Sequence, residues 1–369
     1  VPSLVALDFA LGPELETALL HCVASQEAFC VLDQRVSAHR REELLDLLEP
    51  TVLWTPSGRT KRREGRGVDD DIGLVMLTSG SSGTPKAAEL TWRALAASAR
   101  ITQASLRTEN PPAWFPCLPA NHIGGLAVLL RAILSDATLV WGEPSEIGDG
   151  PRRGATHVAL VRAQLARYDV SEYHTVLLGG ARPPHDLAPN VITTWGMTET
   201  GSGIVYDGRI LNEVEVASID GQLAVRSPTL FRSYRNAPRP RIVGPDGLDD
   251  WFPTGDAGDV RDNHVRVRGR MEFVINSGGE KIWPEDLETV IGSLASVADV
   301  AVAAMNDPQW GDKIIAFIVS DDASAGDEIL AVVNERIGPW AKPKEIRFIE
   351  QVPRTANGKI RRDQILRLL

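Results

Sequence analysis

The chain has 369 residues, with 39 basic and 49 acidic side chains, a net charge of −10 and 43% apolar residues. That composition excludes disorder and collagen, and the acidic balance argues against a broad phosphate-backbone surface of the kind nucleic-acid binders carry. No apolar run approaches a membrane span, Val1 to Ala10 lacks the basic start and apolar core of a signal peptide, and Cys22, Cys30 and Cys117 show neither CxxC spacing nor an even count. The expectations are a cytoplasmic location, two domains or one large domain with an appendage, and cysteines that act as small buried hydrophobes.

In chain order, Glu14 to Ser25 carries apolar residues at helical spacing, Ala28 to Leu32 is a short apolar run, and Arg40 to Leu48 is amphipathic. Pro56 to Asp71, with its mixed-sign charges, reads as a solvated loop. Short apolar runs then alternate with helical patterns: Gly73 to Leu77, Trp92 to Thr102, Ala113 to Leu118, Gly124 to Ser135, Ala137 to Trp141, Val158 to Tyr168 and Thr175 to Leu178. Such alternation predicts an α/β sheet with crossover helices. Between Ile204 and Arg268 the period falls to two, which predicts a separate antiparallel sheet or small barrel. After Arg270 come helix Pro284 to Leu294, strands Val297 to Ala304 and Ile314 to Ser320, helix Asp327 to Ile337, strand Glu345 to Phe348 and a helix near Arg362. That is a compact α+β unit of about a hundred residues.

The strongest chemical feature is Thr78-Ser79-Gly80-Ser81-Ser82-Gly83-Thr84-Pro85-Lys86, read as following a strand and preceding a helix. Glycines free backbone N–H groups to turn inward, hydroxyls add donors, and Lys86 adds a cation, which together make a polyphosphate cradle. The Walker spacing is absent, since Lys86 follows Pro85 rather than a glycine. Thr198 and Glu199 in Thr194-Trp195-Gly196-Met197-Thr198-Glu199-Thr200 offer a hydroxyl for a phosphate oxygen and a carboxylate for Mg2+. Without further context such a pair is more often a helix cap. Asp256 in Pro253-Thr254-Gly255-Asp256 is a turn carboxylate able to accept two ribose hydroxyls.

These segments, with Arg268-Gly269-Arg270 running into Ser277-Gly278-Gly279-Glu280-Lys281, and Pro353-Arg354-Thr355-Ala356-Asn357-Gly358-Lys359, resemble in kind and order the adenylate-forming (AMP-binding) superfamily of acyl-CoA synthetases. Leu118 to Leu126 resembles that family's histidine segment, and Gly179-Gly180-Ala181 its adenine-side glycines. The resemblance covers the chain from about residue 70 onward; the first seventy residues are shorter than most members carry. Val205-Tyr206-Asp207-Gly208 and the short chain are most similar to the actinobacterial 2-succinylbenzoate-CoA ligases of menaquinone biosynthesis. Departures are Arg162-Ala163 where such ligases more often read Pro-Thr, Trp195 for tyrosine, Ala87-Ala88 after Lys86, and Glu272 for aspartate at the hinge.

The resemblance implies an acyl-CoA synthetase/luciferase-like α/β fold. Residues 1–270 would form a large domain of α/β sheets with a small β subdomain, and 271–369 a mobile α+β domain. It implies ATP, Mg2+ and coenzyme A. A carboxylate attacks the α-phosphorus to give an acyl-adenylate, and the CoA thiol then displaces AMP. Thr78, Ser79, Gly80, Ser81, Ser82, Gly83, Thr84 and Lys86 would hold the departing pyrophosphate, Thr198 the α-phosphate and Glu199 the Mg2+. Gly179, Gly180, Ala181, Trp195, Gly196 and Met197 would line the nucleotide side, and Asp256 and Arg270 would bracket the ribose. Lys359 would bridge carboxylate and phosphate oxygens in the first half-reaction only, so the C-terminal domain would turn about Glu272 and bring Ser277, Gly278 and Gly279 to the pantetheine. His122 and Gly180 would line the acid, and His122, Thr200, Ser202 and Arg162 are candidates for its second carboxylate. The implied partners are the small-molecule acid, ATP and CoA, with room for a homodimer and with neither nucleic acid nor an integral membrane contact. The competing readings are a ligase for another aryl or fatty acid, an adenylation enzyme that loads a carrier protein, and a nucleotide-binding regulator without turnover. A Ser-His hydrolase is remote, because no Gly-x-Ser-x-Gly elbow exists.

Overall fold

The computed structural model describes residues 1–78, 85–106, 110–135, 137–184, 186–308, 310–322, 324–354 and 360–368. The chain divides into two compact units: Val1–Val216 with Val225–Phe252, and Ala217–Ala224 with Pro253–Leu369. The boundary expected at residue 270 therefore falls inside the second unit.

In the first unit, an eight-stranded sheet runs in the order Ala237–Pro238, Ser233–Tyr234, Lys86–Thr91, Ile72–Thr78, Ala28–Val31, Leu4–Leu7, Val52–Thr55 and Gly58–Lys61. Leu4–Leu7 pairs parallel with both Ala28–Val31 and Val52–Thr55, and all four of its residues are buried. The helix Pro13–Ser25 connects the first two strands; its proline sits in the first turn, where no N–H is needed. Ser37 caps Ala38–Leu48 by accepting from the Arg40 N–H at 3.3 Å.

The second sheet of this unit holds, in order, Arg209–Ile210, Ser202–Tyr206, Val191–Met197, Thr175–Gly179, His157–Val161, Ala113–Phe115 and Thr138–Leu139. Its middle pairs are parallel, as the α/β alternation requires. The helices Trp92–Leu106 and Ile123–Leu134 pack on each other, and Trp92–Leu106 touches strands of both sheets. Their apolar faces, Leu95, Ile101, Leu126, Leu129 and Leu130 among them, are buried.

Three expectations are corrected. Pro56 to Asp71 is not wholly loop: Gly58–Lys61 pairs antiparallel with Val52–Thr55 as an exposed edge strand, its basic side chains blunting the edge. Val158 to Tyr168, in a helical place of the alternation, divides into the strand His157–Val161 and the one-turn helix Arg162–Leu165. Most consequentially, Lys86 does not open a helix. Lys86–Thr91 is a strand, antiparallel to Ile72–Thr78 with Thr78 opposite Lys86, and the helix begins only at Trp92. Ala87 and Ala88 carry helix propensity, but burial of the strand between two neighbours overrides it.

The second unit contains a hairpin in which Asp256 to Arg261 pairs antiparallel with His264–Arg270. It also holds a sheet in the order Glu280–Ile282, Ile275–Ser277, Gly311–Val319, Asp299–Asp307, with Glu345–Phe348 parallel to Gly311–Val319. The helices Pro284–Ile291 and Ala325–Arg336 bury Leu287, Ile291, Ile329 and Val333 in its core, beside Ile314 and Ile318. Ile275–Ser277 and Glu280–Ile282 form a hairpin that the periodicity does not reveal. Gly278 and Gly279 make its two-residue turn at φ +60° and +86°, a conformation side chains rarely adopt.

Candidate functional site

In the first unit the chemistry gathers at one end of the strands. Thr78 ends one strand and Lys86 begins the next. Ser79, Gly80, Ser81, Ser82, Gly83 and Thr84 lie outside the described residues, as does Lys359. With a strand on either side of the segment, no helix N-terminus contributes to the expected cradle. Phosphate binding there would rest on backbone N–H groups, hydroxyls and the exposed Lys86.

The strand Val191–Met197 delivers the turn Thr198–Thr200, closed by Gly201 at φ +67°. The turn is tightly tied. Thr200 is fully buried; its Oγ1 accepts from the Met197 N–H at 2.8 Å and reaches the Ser202 carbonyl at 2.7 Å, so its hydroxyl serves the turn. Gly196 is required by close approach, since a Cβ there would lie 2.2 Å from the Ser202 carbonyl oxygen. Glu199 is nearly buried, and its Oε1 accepts from the Tyr234 hydroxyl at 2.9 Å. Lys86 Nζ lies 5.1 Å from the centroid of the same tyrosine ring. Lys86 and Glu199, 113 residues apart, thus meet on one aromatic side chain that the sequence did not single out.

Among the described residues no group of three or more His, Cys, Asp and Glu side chains is placed to hold a metal. The single carboxylate of Glu199 fits Mg2+, which takes one or two carboxylates and completes its shell with phosphate oxygens and water.

Gly179 ends Thr175–Gly179, where a Cβ would approach Thr194 Oγ1 to 2.7 Å; Gly180 follows at φ +84°, and Ala181 is exposed. Trp195 is half-buried on the neighbouring strand. His122 is exposed at the N-cap of Ile123–Leu134. Asn121 beside it donates to Asp33 Oδ2 at 3.3 Å. The carboxyl of Asp33 is held below the usual range by its hydrogen bonds from Arg35, with a smaller contribution from His122. Arg162 is exposed at the start of its one-turn helix.

The cation that sequence reasoning missed is Arg131, inside the apolar run of Ile123–Leu134 and 4% exposed. One guanidinium nitrogen donates to Ser202 Oγ at 2.9 Å, the group lies 5.3 Å from the Trp114 ring, and its buried Nε has no partner. No carboxylate pairs with it among the described residues, and burial pulls its pKa down. Ser98, Thr102 and Tyr206 complete a polar patch in this apolar layer: Ser98 Oγ donates to the Gly201 carbonyl at 3.0 Å, and Thr102 and Tyr206 hydroxyls are 3.2 Å apart. One arginine among apolar residues of a predicted helix was the signal available.

In the second unit Asp256 and Arg270 stand opposite each other across a hairpin, with Arg270 Nε 3.1 Å from Asp256 Oδ1 and Nη1 donating to the Thr254 carbonyl at 3.0 Å. Asp256 is nearly buried, and the guanidinium fixes its carboxylate. Glu272 is exposed in the turn Met271–Phe273; Gly278 and Gly279 are exposed, whereas Ser277 is buried. Gly269 is held against Glu285 and Trp283, its missing Cβ lying 2.3 Å from Glu285 Oε2.

Residues 5–235 match the family model described as AMP-binding enzyme, and residues 286–359 that of the AMP-binding enzyme C-terminal domain. A probable 2-succinylbenzoate–CoA ligase of Mycobacterium tuberculosis is 33% identical over 336 residues, spanning 83% of this chain and 86% of that protein. A feruloyl-CoA synthase of Amycolatopsis is 28% identical over 428 residues, spanning 98% and 83%. The solved o-succinylbenzoate CoA synthetase of Bacillus subtilis, in complex with its acyl-adenylate intermediate, matches with a TM-score of 0.82 at 23% identity over 98% of this chain and 88% of its own. ATP-bound MatB of Rhodopseudomonas palustris matches with a TM-score of 0.83 at 19% identity over 100% and 89%. Both likenesses show the mixed α/β fold expected from the motifs.

Proposed function

We propose that this chain, which belongs to the AMP-binding enzyme family, is an AMP-forming acid–thiol ligase that turns 2-succinylbenzoate into its CoA thioester, a step of menaquinone biosynthesis. The acid's carboxylate oxygen bonds to the α-phosphorus of ATP as pyrophosphate leaves. The sulfur of CoA then bonds to the acyl carbon as AMP leaves with the electron pair. Mg2+, when bound, would neutralise phosphate charge, and Glu199 is the carboxylate that would hold it. Lys86 would attract the pyrophosphate, Thr198 would donate to the α-phosphate, and Asp256, steadied by Arg270, would accept from the ribose. Lys359 would stabilise the charge that develops as the first bond forms. Its service in that half-reaction alone implies that residues 271–369 turn about Glu272, which would part Gly269 from Glu285.

The observation that supports this acid over a monocarboxylate is Arg131. Its guanidinium keeps its charge, so burying it without an anion is costly. 2-Succinylbenzoate brings two carboxylates: one is activated, and the other can take the hydrogen bonds of Arg131 and Ser202. Ferulate or a fatty acid leaves that cation unmatched. No described helix is long and apolar enough to cross a membrane. ATP and CoA are both cytoplasmic, which is where this reading puts the enzyme; light scattering at assay concentration reads whether its working form is the homodimer.

The test is CoA-thioester formation from ATP, Mg2+ and CoA with 2-succinylbenzoate, run beside ferulate, benzoate and a medium-chain fatty acid. Preference for 2-succinylbenzoate supports the reading. Preference for another acid removes the substrate and leaves the ligase; no thioester from any acid, with ATP still bound, returns the regulator.

A further inference from the structure

We infer that Tyr234 is a positioning residue that sets the Mg2+-holding geometry of Glu199 and seats Lys86 apart from it. The inference rests on the nucleotide and Mg2+ part of the proposed function and is independent of which acid is used.

The segment 231–235 is fixed on both sides. The Phe231 N–H donates to the Glu199 carbonyl at 2.8 Å, the Arg232 N–H to the Glu89 carbonyl at 2.8 Å, and the Arg235 N–H to the Ala87 carbonyl at 2.8 Å. Ser233 lies opposite Glu89 and Tyr234 opposite Ala88, so Tyr234 sits on the strand paired with the one that Lys86 opens. Its ring packs on Phe231 with centroids 4.8 Å apart. Anchored in this way, the phenol loses little entropy in holding one rotamer.

Two roles follow from one side chain. The hydroxyl occupies Glu199 Oε1 at 2.9 Å and thereby sets the rotation of the carboxylate. Partners that hydrogen-bond a ligating group commonly govern metal affinity by orienting it. The ring face, meanwhile, receives the Lys86 ammonium at 5.1 Å from its centroid. That contact is weak and electrostatic. Without it, a lysine bound for phosphate and a carboxylate bound for Mg2+ would be free to neutralise each other before the nucleotide arrives. The aromatic spacer keeps both charges engaged yet available.

The test uses the full chain and ATP alone, measured by titration calorimetry in Mg2+ and in EDTA, so an error about the acid leaves it intact. Tyr234→Phe keeps the ring and removes the hydroxyl. It is expected to weaken ATP binding in Mg2+ by on the order of tenfold or more, with metal-free ATP binding unchanged. The Mg2+ concentration at which ATP binding is half-maximal should rise in parallel. Tyr234→Leu should weaken metal-free ATP binding as well, because Lys86 loses its seat. Ser233→Ala, on the same strand, should change neither ratio. Unchanged Mg2+ dependence in Tyr234→Phe, equal losses with and without Mg2+, or the same shift in Ser233→Ala would each overturn the inference.

Discussion

Replacing Arg131 by methionine separates a substrate-binding cation from a structural one. In the free protein the guanidinium is buried, with one hydrogen bond at 2.9 Å to a neutral hydroxyl and a ring face at 5.3 Å. Methionine forfeits about 1 kcal/mol for that bond and about 1–2 kcal/mol for the ring contact. It relieves a desolvation penalty of several kcal/mol, because no carboxylate offsets the buried charge. Urea unfolding without ligand should therefore give a stability equal to wild type or higher by about 1–4 kcal/mol. Acid binding should move oppositely. Loss of a charge-assisted hydrogen bond to the unactivated carboxylate, worth about 1.5–3 kcal/mol, raises KM for 2-succinylbenzoate by about 10- to 150-fold. KM for ATP should hold, and benzoate, which has no second carboxylate, should be used no worse than before. A variant that loses several kcal/mol of stability yet keeps wild-type discrimination between the two acids would refute the reasoning.

Three further outcomes are expected. Gly196→Ala places a Cβ on the Ser202 carbonyl oxygen, both backbone-bound and unable to yield cheaply; urea unfolding should show a loss of about 1–3 kcal/mol, and calorimetry weakened MgATP binding as the Thr198–Glu199 turn shifts. His157 is buried against Trp114 and stacked near His174, and burial first, then His174, pushes its pKa from 6.5 down to about 4. It folds neutral, so the unfolded chain binds the extra proton between pH 6.5 and about 4. Stability should fall with pH across that window, levelling below it, by about 3 kcal/mol at most; a difference of urea curves at pH 7 and pH 5 that is no smaller in His157→Gln would exclude this histidine as the source. Lys359→Ala should abolish adenylate formation while leaving thioester formation from supplied acyl-adenylate, so equal losses in both half-reactions would contradict the one-step role of the lysine.

Local pattern carried much of this molecule. Periodicity placed Pro13–Ser25, Trp92–Leu106, Ile123–Leu134 and Ala325–Arg336 within a few residues, because each carries an apolar face at helical spacing that the fold buries. It failed where tertiary pairing overrode propensity. Lys86–Thr91 contains two alanines and no β-branched residue before Thr91, yet it is gripped on both edges, by Ile72–Thr78 and by Ser233–Tyr234. The hairpin around Gly278 and Gly279 was not legible, because its flanking strands are three residues long, too short for a period to show.

The same distinction explains which candidate site residues were legible. Gly179, Gly196, Thr198, Glu199, Asp256 and Arg270 sit in motifs whose residue types the chemistry demands. Tyr234 and Arg131 carry no such mark: a tyrosine in a polar stretch and an arginine in an apolar helix are each ambiguous until a partner is known. Tyr234 meets Glu199 across 35 residues and Arg131 meets Ser202 across 71. Both contacts depend on strand register and helix packing rather than on spacing along the chain. Arg131 nevertheless had a physical tell that needs no partner. In an apolar helix face a charge that can never be discharged is tolerated only where something compensates it, and the described residues supply a hydroxyl and a ring but no anion. The compensation must then come from water that reaches the group or from the substrate. The two are told apart by whether 2-succinylbenzoate raises the melting temperature of wild type more than that of Arg131→Met, as binding linkage requires if the acid is the counter-ion.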